Sequence, residues 1–187
     1  MKLLVACEES QVVTKEFRKC GVEAFSNDII DTSGEHPEWH IKCDVREIIN
    51  DFNAIIAFPP CTHLASSGAR HFYKKEVLQK EAISFFMMFL KSKAKYVCIE
   101  NPVGIMSRYK TPSQYIDPSE FGHLYRKKTC IWLKGFPFLL RTTNFKKDNL
   151  ASYAHTVVRD PRLRSRTFSG VAYAMANQWS HLLIEKD

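Results

Sequence analysis

Short unbroken apolar runs alternate along the chain with stretches of helical spacing. Residues 2–6 (KLLVA) form the first run and predict a buried strand. Within 11–20, Val12, Val13, Glu16, Phe17 and Cys20 recur at helical spacing, and Gly21 marks the stop. Residues 22–26 (VEAFS) predict a second strand ending at Asn27-Asp28, and a polar loop with Gly34 and Pro37 leads to a third at 39–43. Asp44 is placed to cap a short helix over 45–50. The run at 53–58 (NAIIAF) predicts a strong strand, halted by Pro59-Pro60. Residues 74–92 predict a long amphipathic helix whose Phe85, Phe86, Met87, Met88, Phe89 and Leu90 read as core. Strands at 95–99 (KYVCI) and 128–133 (KTCIWL), separated by an irregular stretch, and a helix at 168–184 complete the pattern.

Strands that alternate with helices predict an α/β fold with a mostly parallel sheet. Ligands of such sheets bind beyond the carboxyl ends of the strands, near a switch in strand order. The polar clusters fall at those ends: Glu8-Glu9, Asn27-Asp28, Asp44, Pro59-Pro60-Cys61 and Glu100-Asn101. With 187 residues, no internal repeat and no linker-like tract, one domain over 1–187 is expected.

Composition narrows the class. Hydrophobic content of 45% and charged content of 25% are ordinary for a soluble globular protein. No apolar run approaches the roughly 18 residues that span a bilayer, so no membrane partner is expected. The start, MKLLVACEE, reads as a strand rather than a signal peptide. Six cysteines without a CxxC pair argue against a bound metal and for free thiols in a reducing cytoplasm. Lys plus Arg exceed Asp plus Glu by 27 to 20, a formal charge of +7 that favours a polyanionic or phosphate-bearing partner.

Two residues stand out chemically. Cys61 follows a buried strand and two prolines, and leads into the small polar loop Thr62-His63 and Ser66-Ser67-Gly68. A thiol held in a rigid turn among donors suits a nucleophile; the same place also suits a half-buried loop cysteine. Glu100 directly follows the apolar run Tyr96–Ile99, where burial raises a carboxyl pKa. A neutral carboxyl both donates and accepts, matching N3 and N4 of cytosine; a capping or loop-tethering glutamate fits the position too.

The order strand–FPPCT, strand–IENP and a later basic strand, YRKKTCIWL, resembles the catalytic series of cytosine-5 DNA methyltransferases, closest to their short phage and prophage forms. The resemblance implies a Rossmann-like domain dependent on S-adenosyl-L-methionine, in which Cys61 adds to C6 of the pyrimidine. It implies that Glu100 assists at N3, that Asn101 shapes the loop and that Arg126 contacts the pyrimidine O2 or a phosphate. For the cofactor it implies the first loop with Cys7 and Glu8, Asp28 at the ribose hydroxyls, Asp44 at the adenine amine, and Pro59 and Pro60 on the methionine side. RSRTFSGVAYAMANQW is similar to the final loop and helix that close on the cofactor, so the likeness runs over nearly the whole chain.

Departures shape what is expected of the substrate. The first loop, CEESQ, has no glycine; Leu124, Arg126 and Lys128 stand at the places of the family's basic triplet. Residues 134–163 leave about thirty positions where full DNA methyltransferases carry a target-recognition region. Lys128 and the arginine-rich segment 159–166, including Arg164 and Arg166, are the expected phosphate contacts, or else a surface basic loop. Cytosine in DNA is the first expectation, with a partner subunit or homodimer as ways to supply recognition. A free cytidine nucleotide is the second, and a methylase-fold binding protein without turnover is the rival.

Overall fold

The computed structural model describes residues 1–66, 76–143 and 165–184, and the backbone of 151–152. Strands β1 (Lys2–Ala6), β2 (Glu23–Asp28), β3 (His40–Lys42), β4 (Ala54–Ala57), β5 (Tyr96–Pro102), β6 (Gln114–Ile116) and β8 (Thr129–Lys134) make a seven-stranded sheet in the order β3-β2-β1-β4-β5-β8-β6. β7 (Tyr125–Arg126) pairs separately with β9 (Ala151–Ser152). The first five strands of the large sheet run parallel, and β8 enters antiparallel between β5 and β6. The fold is therefore α/β, Rossmann-like and mostly parallel, as expected. Among the described residues no helix is long and apolar enough to cross a membrane.

Both faces of the sheet are covered, which is why its central strands are apolar without alternation. Helices α1 (Val12–Lys19) and α5 (Ser169–Trp179) pack together on one face, burying Phe17, Val171, Met175 and Trp179 against Leu3, Val5 and Ile56. Phe17 is fully buried, and removing a side chain of that kind from water contributes about 2–3 kcal/mol. Helices α2 (Val45–Ile48) and α3 (Glu76–Lys91) cover the other face with Val45, Phe86 and Phe89, where Trp132 meets Phe86 edge-on at 4.8 Å. The aromatic stripe of α3 is thus largely core.

Strand order reverses between β1 and β4, so the carboxyl ends of these two strands flank the crevice where such sheets bind ligands. The stretch after β5, expected to be irregular, carries α4 (Met106–Tyr109), β6 and a 3-10 turn at Pro118–Phe121. That turn has a full capping box: Asp117 accepts from Ser119 N–H while the Glu120 carboxylate accepts from Asp117 N–H.

The amino end of α5 is fixed by His123, whose Nε2 accepts from Gly170 N–H at 3.0 Å. A Cβ at Gly170 would lie 1.8 Å from the Phe121 carbonyl oxygen, so only glycine permits this approach. Burial holds the His123 pKa below its usual value, and only the neutral ring can accept this bond. Its contribution to stability is therefore complete above the unfolded-state pKa, near 6.5, and is lost as pH falls through the lower folded value. Chemical denaturation between about pH 5 and pH 8 should show His123→Ala flattening the acid-side fall in stability; parallel curves would remove His123 from that role.

Candidate active site

The first loop does without glycine by strained geometry held in a dense network. Cys7 and Gln11 take left-handed backbone conformations, with φ of 58° and 57°, each costing about 1–2 kcal/mol for a residue with a Cβ. Glu8 N–H donates to Asn27 O at 2.9 Å, fastening the turn to β2. The buried Gln11 amide donates to His36 O and accepts from His36 N–H. Gln11 gives α1 no side-chain cap; the Glu8 carboxylate does so instead, accepting from Val13 N–H at 2.6 Å and from the Thr14 hydroxyl at 2.7 Å. Burial pushes its pKa up to about 7, against the pull of those bonds. This corrects the expectation for Glu8: its carboxylate serves helix α1, and the residue meets the crevice only as lining.

Two cavities open at the strand ends. One of about 310 Å³ is lined by Cys7, Asp28, Ile29, Asp44, Pro60 and Phe85. The other, about 570 Å³, is lined by Cys7, Glu9, Asp28, Ser33, Phe58 and Arg166. They share Cys7 and Asp28, and each is within the size range of small-molecule sites. Asn27 sets the first cavity's shape, its amide donating to Ile41 O and Cys43 O and so bringing Asp44 to the side of Asp28. Asp28 Oδ1 accepts from Ile29 and Ile30 N–H, and Ile29 stays 71% exposed at the lip. A carboxylate beside exposed apolar side chains suits a ligand carrying hydroxyl donors and a flat ring.

Asp44 has a double duty. Its Oδ1 caps α2 by accepting from Arg46 N–H at 2.9 Å, and its Oδ2 accepts from Arg46 Nη1 at 3.1 Å. Each oxygen keeps a further lone pair for a ligand amine. The Cys7 thiol is pushed up to about 12 by burial, then by Asp28 and Asp44, so it acts as apolar lining and not as a nucleophile. Pro60 lines the smaller cavity, whereas Pro59 is buried.

Cys61 is half-buried at the mouth of β4, and its carbonyl accepts from Leu64 and Ala65 N–H at 2.9 Å, closing a turn. Asn101 Nδ2 donates to Pro59 O at 2.8 Å, tying that turn to β5. A second tie joins the turn to the chain after β5: Ser66 N–H donates to Val103 O, and Ile105 N–H to Leu64 O. Gly104 allows the contact, since a Cβ there would sit 2.0 Å from Leu64 O. Asn101 is accordingly a positioning residue for the Cys61 loop.

Glu100 lies on β5 beyond Ile99, the residue paired with Ala57 of β4. Burial raises its carboxyl pKa, opposed by the charge of Lys127 and by the Thr129 hydroxyl. That hydroxyl is also 3.0 Å from Lys127 O and donates to one acceptor at a time. Lys127 and Thr129 are the basic-strand residues the sequence reading missed. Opposed residues of antiparallel strands share a face, and Glu100 pairs with Ile131, so Thr129 follows on its side by the period of two, and Lys127, just before β8, lines the same small cavity. Arg126, in β7, and Lys128, between β7 and β8, are exposed, with Lys128 Nζ 4.4 Å over the Tyr115 ring. Arg126, expected at the pyrimidine O2 or a phosphate, sits in β7 and is not among the residues lining the cavity beside Glu100.

Residues 165–167 wall both the 570 Å³ cavity and a small one of about 30 Å³ beside Glu100, lined also by Lys127, Thr129 and Phe168. The small cavity has room for a water molecule, not for a pyrimidine. Arg166 faces the first loop, donating to Ser33 Oγ at 2.9 Å. Arg164 lies outside the described residues. Ile29 and Phe85 were likewise missed as site residues; an apolar pair directly after Asp28, in a polar loop, was the signal for the first.

No family model matches the chain, and no curated protein does. Among solved structures it is similar to a mutant of Spodoptera frugiperda DNMT2, with 12% identity and a TM-score of 0.39, over 85% of this chain and 60% of that one. The chain thus spans about 60% of that protein's length. The functional reading rests on the residues.

Proposed function

We propose that the chain is a pyrimidine C5 methyltransferase that uses S-adenosyl-L-methionine and acts on cytosine in DNA. The observation that carries the proposal is the Asn101–Pro59 hydrogen bond, which ties the Cys61 loop to the strand bearing Glu100. A crevice with the acids Glu9, Asp28 and Asp44, in a chain of net charge +7, supports a cationic sulfonium ligand there. The exposed Arg126 and Lys128 support a phosphate-bearing substrate nearby.

In this reading Asp28 accepts from the ribose hydroxyls, Asp44 from the adenine amine, and Cys7, Ile29, Pro60 and Phe85 enclose the ring. S-adenosylmethionine, when bound, supplies an electrophilic methyl group. The Cys61 thiolate adds to C6 of the base, and the Glu100 carboxyl gives its proton to N3 as negative charge builds on the ring. C5 thereby becomes nucleophilic. With the methyl group on C5, loss of the C5 proton to solvent, departure of Cys61 as thiolate and return of the N3 proton to Glu100 restore the aromatic ring. Admitting a flipped base requires the 165–168 wall to shift, because the cavity beside Glu100 holds only a water.

Label transfer from methyl-labelled S-adenosylmethionine to duplex DNA, single strands and cytidine nucleotides tests the proposal. Label at cytosine C5 of DNA is expected, and label only on free nucleotides would move the substrate to the smaller class. Asp28→Ala should weaken cofactor binding by about 1–3 kcal/mol in calorimetry. Asp44→Asn keeps an acceptor for the cap of α2 while removing the charge, and should weaken it less. One observation favours a second reading, a nucleotide-binding protein without turnover: the small cavity at Glu100. Cofactor binding with no transfer to any cytosine substrate would establish that reading instead.

A further inference from the structure

We infer that Arg166 is the anchor for the carboxylate of the cofactor's amino-acid end, an inference that rests on the cofactor reading above. Arg166 Nη2 donates to Ser33 Oγ at 2.9 Å, but its Nε is buried with no hydrogen-bond partner among the described residues. The Glu9 carboxylate is 3.8 Å from that nitrogen, too far for a hydrogen bond. A buried guanidinium N–H without an acceptor is costly, and it is relieved by an anion that takes the Nε edge of the fork. Arg166 forms part of the 570 Å³ cavity, which meets the smaller one at Cys7 and Asp28. A ligand with its ring at Ile29 and its ribose at Asp28 therefore extends toward Arg166. Glu9, on the same cavity, is placed for the ammonium of the same zwitterion. A carboxylate, a guanidinium and the Ser33 hydroxyl together match an α-amino acid, which a bare nucleoside does not offer.

Calorimetry with the full chain and two probes tests this. S-adenosylhomocysteine carries the amino-acid end; 5′-methylthioadenosine lacks it. The unaltered protein should bind the first roughly tenfold or more tightly than the second. Arg166→Met should remove most of that difference while leaving methylthioadenosine affinity within about twofold, which also shows the variant folded. Arg166→Lys should restore part of it, as a point charge without the fork. If Arg166→Met keeps the full difference, or loses both ligands alike, Arg166 is a structural tie to Ser33 and the inference fails while the cofactor reading stands. If the unaltered protein binds neither probe, the cofactor reading fails and takes this inference with it.

Discussion

Cys61→Ser is expected to abolish covalent trapping on DNA carrying 5-fluorocytosine while leaving S-adenosylmethionine affinity nearly unchanged. The fluorine cannot leave C5 as a proton does, so the adduct between Cys61 and C6 persists and survives denaturing electrophoresis. Serine alters only one side-chain atom, and the turn is held by backbone bonds from Leu64 and Ala65 to the Cys61 carbonyl and by Asn101 at Pro59. Loss of trapping then reports chemistry and not a displaced loop. Turnover should fall on the order of a thousandfold or more, as when other covalent enzymes lose their nucleophile. Trapping that survives in the serine variant would place the nucleophile elsewhere. Asn101→Ala offers a contrast: it loosens the loop and should lower turnover with trapping retained at a reduced rate.

Glu100 should have the next largest effect, and a distinctive one. Its carboxyl, pushed upward by burial, keeps its proton to higher pH than an exposed glutamate would. Activity that depends on the neutral acid declines as pH rises through that raised value. Glu100→Gln still donates and accepts but cannot pass a proton to N3. It should lower turnover by about a hundredfold or more with binding little changed, and lose that alkaline limb. Glu100→Ala should lower both binding and turnover. Cytosine should outpace uracil strongly in the unaltered protein, because uracil presents N3–H and a carbonyl to a site made for the opposite pattern. Lys127 opposes the upward shift, so Lys127→Met should move the limb to higher pH. Equal rates on the two bases, or a fully active glutamine variant, would leave Glu100 a structural residue.

The sheet was legible because its strands are continuous apolar runs: all five parallel strands and β8 were located, with ends shifted by a few residues. β5 proved longer than expected, running to Pro102, so that Glu100 and Asn101 sit within the strand and belong to opposite faces. Asp44 as a helix cap was equally visible, since a cap and its helix are adjacent in sequence. The 3-10 turn at Pro118 was missed although Asp117-Pro118-Ser119-Glu120 spells its capping box. The basic stretch read as one strand is broken between β7 and β8, and it is Lys127 and Thr129 at the break that come beside Glu100. The use of the Glu8 carboxylate was not legible, because it depends on the left-handed turn at Gln11, which no local pattern announces. Nor was the meeting of Arg166 with Ser33, which no periodicity connects.

That last contact separates residues by 133 positions, and the amino terminus meets Leu183 O at a separation of 182. Local pairs such as α1 with β2 can close early, since they enclose little chain. The wall formed by residues 165–167 closes a loop of well over a hundred residues, so its loop-closure entropy is recovered only once the sheet it rests on exists. The crevice is then expected to be completed late in folding, together with the packing of α1 on α5. A ligand spanning it would act as a kinetic clasp, slowing unfolding more than it speeds folding.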